Sequence, residues 1–372
     1  MKQNEIIKTY GTDYTRMTVE LLNAADLAGD IIQKSAISCS NIRIGIKPNL
    51  VSCTPASYGA TTHPEIVRGI IEYLHAHDFR NIKIIEGSWV GDKTSDAFEY
   101  CGYNELSKDL NVPITDTQTD TFHEVDCGGM MLNICDSVDS IDYLINVPVL
   151  KGHCQTKITC ALKNMKGLIP NSEKRRFHTL MLHKPIAHLN LGIHQDFIVI
   201  DNICGDPDFE EGGNPLVRNC IMVAKDPVLT DAYVCKIFEL DIDEVPYVKI
   251  AGEIGVGCSD ISKLELKYLG SSPDSDSPLP LSHKMLSVSY AIDDVNSCSA
   301  CYAGLAEALN RLTDEGLLSD NLPKICIGQG YKGKSGEYGV GACTSRFKHN
   351  VPGCPPDSES IYEHIKSWIG KI

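Results

Sequence analysis

No segment of this 372-residue chain comes near the ~18 uninterrupted apolar residues of a membrane-spanning helix. The opening MKQNEIIKTYGTDYTRM lacks the apolar core of a secretory signal, so the expectation is a cytoplasmic protein with no membrane partner. Basic charge is scarce: 34 Lys and Arg stand against 49 Asp and Glu, a net charge of −15. Phosphate recognition needs clustered Lys and Arg that displace counterions, which argues against a nucleic acid partner, and an anionic membrane surface would repel the chain. Two glycine signatures are missing as well. No GxGxxG follows the first strand and no GxxxxGKS/T occurs, so neither a dinucleotide nor an ATP site has sequence support. No internal repeat is present.

Cysteine, by contrast, is abundant, with sixteen residues. In a reducing compartment disulfides are not the default use of so many thiols, and metal ligation becomes the leading alternative for some of them. Those scattered singly, such as Cys39, Cys53, Cys101, Cys127, Cys135, Cys220 and Cys235, read as small buried hydrophobes. Hydrophobic residues make up 42% of the chain and charged residues 22%, the balance of a folded globular protein. The length suits one large and one smaller domain.

From about residue 40 the pattern is α/β. NIRIGI (41–46), NIKIIE (81–86), DYLINVPVL (142–150), DFIVID (196–201) and CIMVAKDP (220–227) read as strands of an open, mainly parallel sheet with helices on both faces. A helix opens at His63-Pro64-Glu65, with Pro in its first turn and Ile66, Val67, Ile70, Ile71 and Leu74 on one face; another opens at Asp226-Pro227. The segment HCQTKITCALKNMKGLIP is expected to be helical, with Lys157, Ala161 and Asn164 sharing a face. This domain is expected over 1–270. GSSPDSDSPLPLSHK (270–284) marks a linker, expected over 271–284, and 285–372 forms a smaller module of strand MLSVSYAI, helix CSACYAGLAEALNRLTDEG, strand PKICIG and a C-terminal helix.

In that module Cys298-Ser-Ala-Cys301 lies where a strand meets a helix, Cys343 lies in GVGACT and Cys354 in VPGCPP. Thiolates are soft ligands that select zinc or iron–sulfur clusters, and spacing alone does not separate the two. Zinc sites usually pair two short Cys motifs, whereas here one CxxC is completed by two single cysteines in Gly- and Pro-rich turns, which favours a [4Fe-4S] cluster. Cys326, in KICIGQG, is the spare ligand. CSACYAGLAEAL, GAC and VPGCPP resemble the cluster-binding parts of the small subunit of nickel–iron hydrogenases and its relative in respiratory complex I. That resemblance implies Cys298, Cys301, Cys343 and Cys354 as ligands; it does not extend to a nickel site or to quinone.

Polar residues cluster just after the expected strands: Lys47 and Asn49, Glu86, Lys151 and His153, Asp201 and Asn202. In parallel α/β sheets ligands bind at that edge. If Lys47, Lys151, Lys157 and Lys163 converge, they make a pocket for a small anionic molecule, with His63, His153 or His178 able to move a proton near neutral pH. The ordered motifs IKPNL, TTHPEIV, IEGS, VPVLKGH, ITCALKNMKG, FHTLM, IVIDNI and KDPVLTDAYV resemble the domain of unknown function family 362 over roughly 40–240. The resemblance implies motif positions at Lys47, Asn49, His63, Glu86, Lys151, His153, Lys163, Asn164 and His178. The leading expectation is an iron–sulfur oxidoreductase that exchanges electrons with a small anionic substrate or second cofactor. Catalysis would fall to His153, His178 and Glu86, and binding to Lys47, Asn49, His63, Lys151, Lys157, Lys163 and Asn164. The alternatives are an iron–sulfur electron carrier or maturation factor that docks on a redox partner protein, and a lyase or isomerase that uses an open iron as Lewis acid.

Overall fold

The structure is a computed structural model, and it describes residues 1–34, 41–270, 278–279, 284–318 and 323–369. The chain groups into two compact units, one of residues 1–174 and 183–280, the other of 175–182 and 281–372. Most of the expected linker, 271–277 and 280–283, and the lone Cys39 lie outside the described residues.

The first unit is built on a sheet of β1 (Glu5–Tyr10), β2 (Ile44–Lys47), β3 (Ile82–Glu86), β4 (Ile114–Asp116), β5 (Tyr143–Asn146), β6 (Phe197–Gly205), β7 (Leu216–Ala224) and β8 (Glu265–Tyr268). Among the described residues their order is β8-β1-β7-β6-β5-β2-β3-β4. The stretch from β6 to β4 is wholly parallel, with Phe197 opposite Ile145, Ile46 opposite both Ile145 and Ile84, and Ile84 opposite Ile114. Such β-branched, apolar strands suit a sheet covered on both sides. Alternate residues bear this out. Ile44, Ile46, Ile84, Ile145, Phe197 and Val199 join the core formed by the helices Tyr14–Ala25, Leu27–Lys34 and Pro64–Ala76, while Ile85, Leu144, Ile198 and Ile200 of the other face are buried too. In Pro64–Ala76 the expected stripe of Ile66, Val67, Ile70, Ile71 and Leu74 is fully buried. Cys101, Cys127, Cys135, Cys220 and Cys235 are buried as well, and Cys53 is half-buried.

Two local departures from the sequence pattern matter for the site. Strand β7 runs antiparallel to β6, because the connection 206–215 is too short for the crossover that parallel pairing needs. The segment expected to be one helix from His153 onward is instead a hairpin, Lys151–His153 against Lys157–Thr159, followed by a single helical turn at Ala161–Asn164 and a 3-10 turn at Met165–Leu168. Thr156, Ile158 and Thr159 are β-branched and favour extended backbone. The His153 ring closes the turn by accepting the Gln155 and Thr156 amides through Nδ1 at 3.0 and 3.1 Å, so the backbone is satisfied without a helix.

The second unit carries β9 (Ile292–Asp294), β10 (Ile325–Ile327), β11 (Tyr338–Val340) and β12 (His349–Val351), paired in that order and parallel throughout. Helices Ser299–Asp314 and Ser358–Ile369 pack on each other. The expected strand MLSVSYAI shortens to β9: Lys284–Val288 is helical and Ser289–Ala291 a 3-10 turn. Val288 and Ala291 are buried three residues apart, a helical spacing that the sequence also contains.

Candidate functional site

At the carboxyl edge of the first unit's parallel strands two buried charge networks form. The Lys47 ammonium pairs with the Glu86 carboxylate and donates to Pro48 O at 2.7 Å and Asn164 Oδ1 at 3.3 Å. Asn164 in turn donates to Asn146 Oδ1 at 2.7 Å, and Asn146 to Gln195 Oε1 at 2.6 Å. Lys174 joins from beneath, donating to the carbonyls of Gly87 and Ser88 at 3.1 and 2.7 Å. Burial pulls the Lys47 and Lys174 pKa values down, Lys174 to about 8, and pushes that of Glu86 up, because desolvation penalises each charged form. The Lys47–Glu86 pair packs directly on Gly167, where any side chain would begin within 2.6 Å of the ammonium. That explains the glycine of the MKG motif.

The second network centres on Glu210, which the sequence reading missed. Its carboxylate lies 2.9 Å from Lys163 Nζ and 2.6 Å from His153 Nε2, and its carbonyl accepts from Lys151 Nζ at 2.7 Å. Lys151 also donates to Ala60 O at 2.5 Å and is 1% exposed. Since His153 Nδ1 accepts two backbone amides, the ring proton resides on Nε2, facing Glu210. Burial lowers the His153 pKa to about 4 and that of Lys151 to about 7. Burial opposes ionisation of Glu210 too, but His153 and Lys163 outweigh it and hold this carboxyl well below its usual range. Asp231 supports the site by accepting the Ala161 and Leu162 amides at 2.8 and 3.2 Å, the two free donors that open the short helix.

Of the remaining expected residues, Asn49 braces the loop after β2, taking the Val51 amide on Oδ1 at 3.1 Å while its own amide donates to Thr62 Oγ1 at 2.8 Å. His63 sits on Asp201 at 2.8 Å. Lys157 points away to an exposed ion pair with Glu244 at 2.7 Å, and His178 is buried in the segment that belongs to the second unit. Lys47, Asn164, Glu86, Lys151, His153 and Lys163 are thus brought into two networks, each with its own carboxylate. Both share one signal that a sequence can carry: buried lysines demand acids, and Glu210 lies in the acidic loop DPDFEEGG that follows β6. A cavity of about 420 Å³ opens at the opposite, amino-terminal edge, lined by Asp30, Lys34, His194, Gln195, Asp196 and Lys225.

In the second unit Cys298, Cys343 and Cys354 follow β9, β11 and β12 respectively, all at the carboxyl edge of a parallel sheet, and Cys301 lies in the first turn of Ser299–Asp314. Burial, then the neighbouring Cys298, Cys354 and Cys343, push the Cys301 thiol up to about 12. Arg175 stands close enough to favour the thiolates of Cys301 and Cys343, and Lys332 that of Cys343. The loops are tied together by Ala342 N to Gly353 O at 2.7 Å, and Gly341, at φ +90°, faces the Cys301 sulfur. Cys326, on β10, interacts with Asp293 and Tyr331 instead. The four thiols are neighbours rather than a closed ligand set: among the described residues no group of three or more His, Cys, Asp or Glu stands in an arrangement that could hold a metal ion.

The profile described as "Domain of unknown function (DUF362)" matches residues 44–236, more than half of the chain. The chain belongs to this family. The DUF362 region contains both buried networks, Glu210 and Lys174 included, and ends before the four cysteines. A thylakoid-associated protein of a Synechocystis strain is 23% identical over 235 residues, covering 58% of this chain and 68% of that protein. Among solved structures, the lactate racemase apoprotein of Thermoanaerobacterium thermosaccharolyticum aligns with a TM-score of 0.39 and 11% identity over 63% of this chain and 57% of that one. A structural-genomics protein from Thermotoga maritima aligns with a TM-score of 0.36 and 12% identity over 70% and 62%. The chain therefore spans less than two thirds of either structure. No helix among the described residues is long and apolar enough to cross a membrane.

Within the DUF362 region the titration of His153 is open to test. An unfolded histidine titrates near 6.5, while burial holds His153 at about 4. Between those values the unfolded chain binds the extra proton, so the contribution of His153 is fully present above about 6.5 and is lost as the pH falls toward 4. The slope is at most ~1.4 kcal/mol per pH unit. Asp231, raised to about 7 by burial, works in the opposite direction over the same window. The effect of His153 is therefore read as a difference: urea midpoints of wild type should fall more steeply from pH 6.5 to 4.5 than those of His153→Asn, and parallel curves would show that the ring is not held neutral.

Proposed function

We propose that the protein is an iron–sulfur oxidoreductase. Its second unit would hold a [4Fe-4S] cluster on Cys298, Cys301, Cys343 and Cys354, and its DUF362 region would bind the substrate or second cofactor at the buried lysine networks. The observation that carries this reading is the meeting of four thiols from three separate loops, beside Arg175 and Lys332. Thiols that raise one another's pKa need a soft cation to become thiolates together; the donor chemistry of the four suits that demand, and their sulfurs would have to draw closer to enclose the group. Cys298 stands at the N-cap position and Cys301 in the first turn of the helix Ser299–Asp314, so the positive helix end would favour an anionic group held there. When bound, the cluster supplies one-electron transfer at a potential tuned by hydrogen bonds and solvent exposure.

The remaining roles belong to side chains. Lys151, with a pKa near 7, and the Glu210–Lys163 pair bracket the neutral His153 ring, so a proton can be held or released at Lys151 Nζ without exposing the site to water. Lys47 and Lys163 each carry their own carboxylate partner. An anion bound there would therefore displace Glu86 or Glu210 from its lysine, which limits the substrate to small carboxylates or similar groups able to copy those contacts.

An anaerobic preparation assayed for iron and acid-labile sulfide, with an electron paramagnetic resonance spectrum after dithionite, tests the reading. About four of each per chain and a reduced-cluster signal are expected. One zinc and no sulfide would overturn the redox assignment.

A further inference from the structure

A third buried constellation stands apart from both networks. His63 closes the turn before the helix Pro64–Ala76, and both its backbone amide and its ring Nδ1 lie 2.8 Å from Asp201 Oδ2. Asp201 is fully buried, and its other oxygen accepts the Ile203 amide at 3.1 Å, so the carboxylate is fixed. The far nitrogen of the same ring, Nε2, lies 3.9 Å from the sulfur of Cys204. In a regular strand Asp201 and Cys204, three residues apart, project to opposite faces. Here the pairing of β6 with β7 slips between Asn202 and Cys204, opposite Asn219 in the left-handed region at φ +50°, and such an irregularity re-aims side chains. Both residues consequently meet one imidazole. The edge of Tyr14 packs on that ring, with centroids 5.6 Å apart.

Burial works against a charged His63, but Asp201, by charge and hydrogen bond, and Cys204 outweigh it and push the ring up to about 10. The ring thereby presents Nε2 to the sulfur, the pairing of imidazole and thiol through which thiol nucleophiles are activated. Nucleophile, base and orienting carboxylate in hydrogen-bond sequence are what covalent catalysis by a thiol requires. A proton on Nε2 suits a reaction in which a leaving group departs beside the ring, as in acyl transfer.

We infer that Cys204, His63 and Asp201 form a nucleophilic thiol site for a small acyl ester or thioester. The Cys204 thiolate attacks the acyl carbon and a C–S bond forms. The bond to the leaving group breaks with its electron pair, and the leaving alkoxide or thiolate takes the Nε2 proton of His63. The acyl group remains on Cys204 as a thioester, and no oxidant or reductant takes part. Cys204 is 4% and His63 9% exposed, so the site admits only small reagents, and the resting thiol donates to Ala56 O at 3.3 Å, a hydrogen bond that it gives up on ionising. Asp201 acts through His63 as a positioning residue.

The test uses the full chain at pH 6.5 with two probes, iodoacetamide and p-nitrophenyl acetate. Peptide mapping should show Cys204 alkylated roughly tenfold faster than the buried Cys220 and Cys235, as expected for a His-paired thiol. The acetate ester should release a burst of p-nitrophenol that Cys204→Ser abolishes, and acetate should be recovered on the Cys204 peptide. Asp201→Asn, with circular dichroism confirming its fold, should lower the alkylation rate while leaving iron content unchanged. Labelling of Cys204 no faster than Cys220, or a burst that survives Cys204→Ser, overturns the inference. Because iron and sulfide are measured separately, its failure is distinct from failure of the cluster assignment.

Discussion

Cys301→Ser is expected to lower the iron of the anaerobically prepared protein from about four per chain to well under one, while Cys326→Ser leaves it unchanged. The two residues differ in position, not chemistry. Cys301 lies in the first turn of the helix Ser299–Asp314, near Cys298, Cys343 and Cys354, whereas Cys326 lies within β10 against Asp293 and Tyr331. A serine hydroxyl is a poor substitute for a soft thiolate, so if the proposed cluster is held there, loss of one ligand would remove it or leave it prone to fall apart in air. Iron and sulfide assays on the two variants decide the matter. Loss of iron in Cys326→Ser with retention in Cys301→Ser would move the ligand set to the strand. A quartet in which one substitution is tolerated and three are not would point to an open iron, the arrangement that Lewis-acid chemistry needs.

The second large effect concerns Glu210. Glu210→Gln keeps the shape of the side chain but removes the charge that compensates Lys163 and orients His153. Breaking one half of a buried ion pair leaves an unpaired charge and costs about 3–5 kcal/mol. A shift of that size should appear in urea unfolding at pH 7. Lys163→Met in the Glu210→Gln background should recover part of it, because the stranded ammonium is then gone; such coupling is the signature of a shared network. A loss below about 1 kcal/mol in the single variant would show that Lys163 does not depend on the Glu210 carboxylate, and the buried network would lose its claim to be a charged site.

The two sheets show how far local pattern carries. Ile44, Ile46, Ile84, Phe197 and Val199 announce buried strands through short runs rich in β-branched and apolar residues, and His63-Pro64-Glu65 and Asp226-Pro227 announce helix starts. In the structure Pro64 and Pro227 are the first helical residues, and Asp226 accepts the amides of Val228 and Leu229, both at 2.9 Å. These signals work because caps and periodicity act within a few residues. Where competing local solutions exist the pattern is ambiguous: ITCALKNMKG reads as helical by spacing, yet the His153 ring satisfies the turn amides and the chain forms a hairpin first.

What the sequence by itself determined, then, is the alternation of strands and helices, membership of the DUF362 family through its ordered motifs, and a set of polar residues placed after strand ends. Only the tertiary structure decided which of them meet. It set Lys47 on Glu86, and Lys163 and His153 on Glu210, and sent Lys157 to an exposed partner on Glu244. It brought His63 between Asp201 and Cys204. The reason is physical: a buried charge is tolerable only beside its counter-charge, and for residues such as Lys47 and Glu86 or Lys163 and Glu210, that partner lies dozens of residues away, reached through strand order and register rather than through any local spacing.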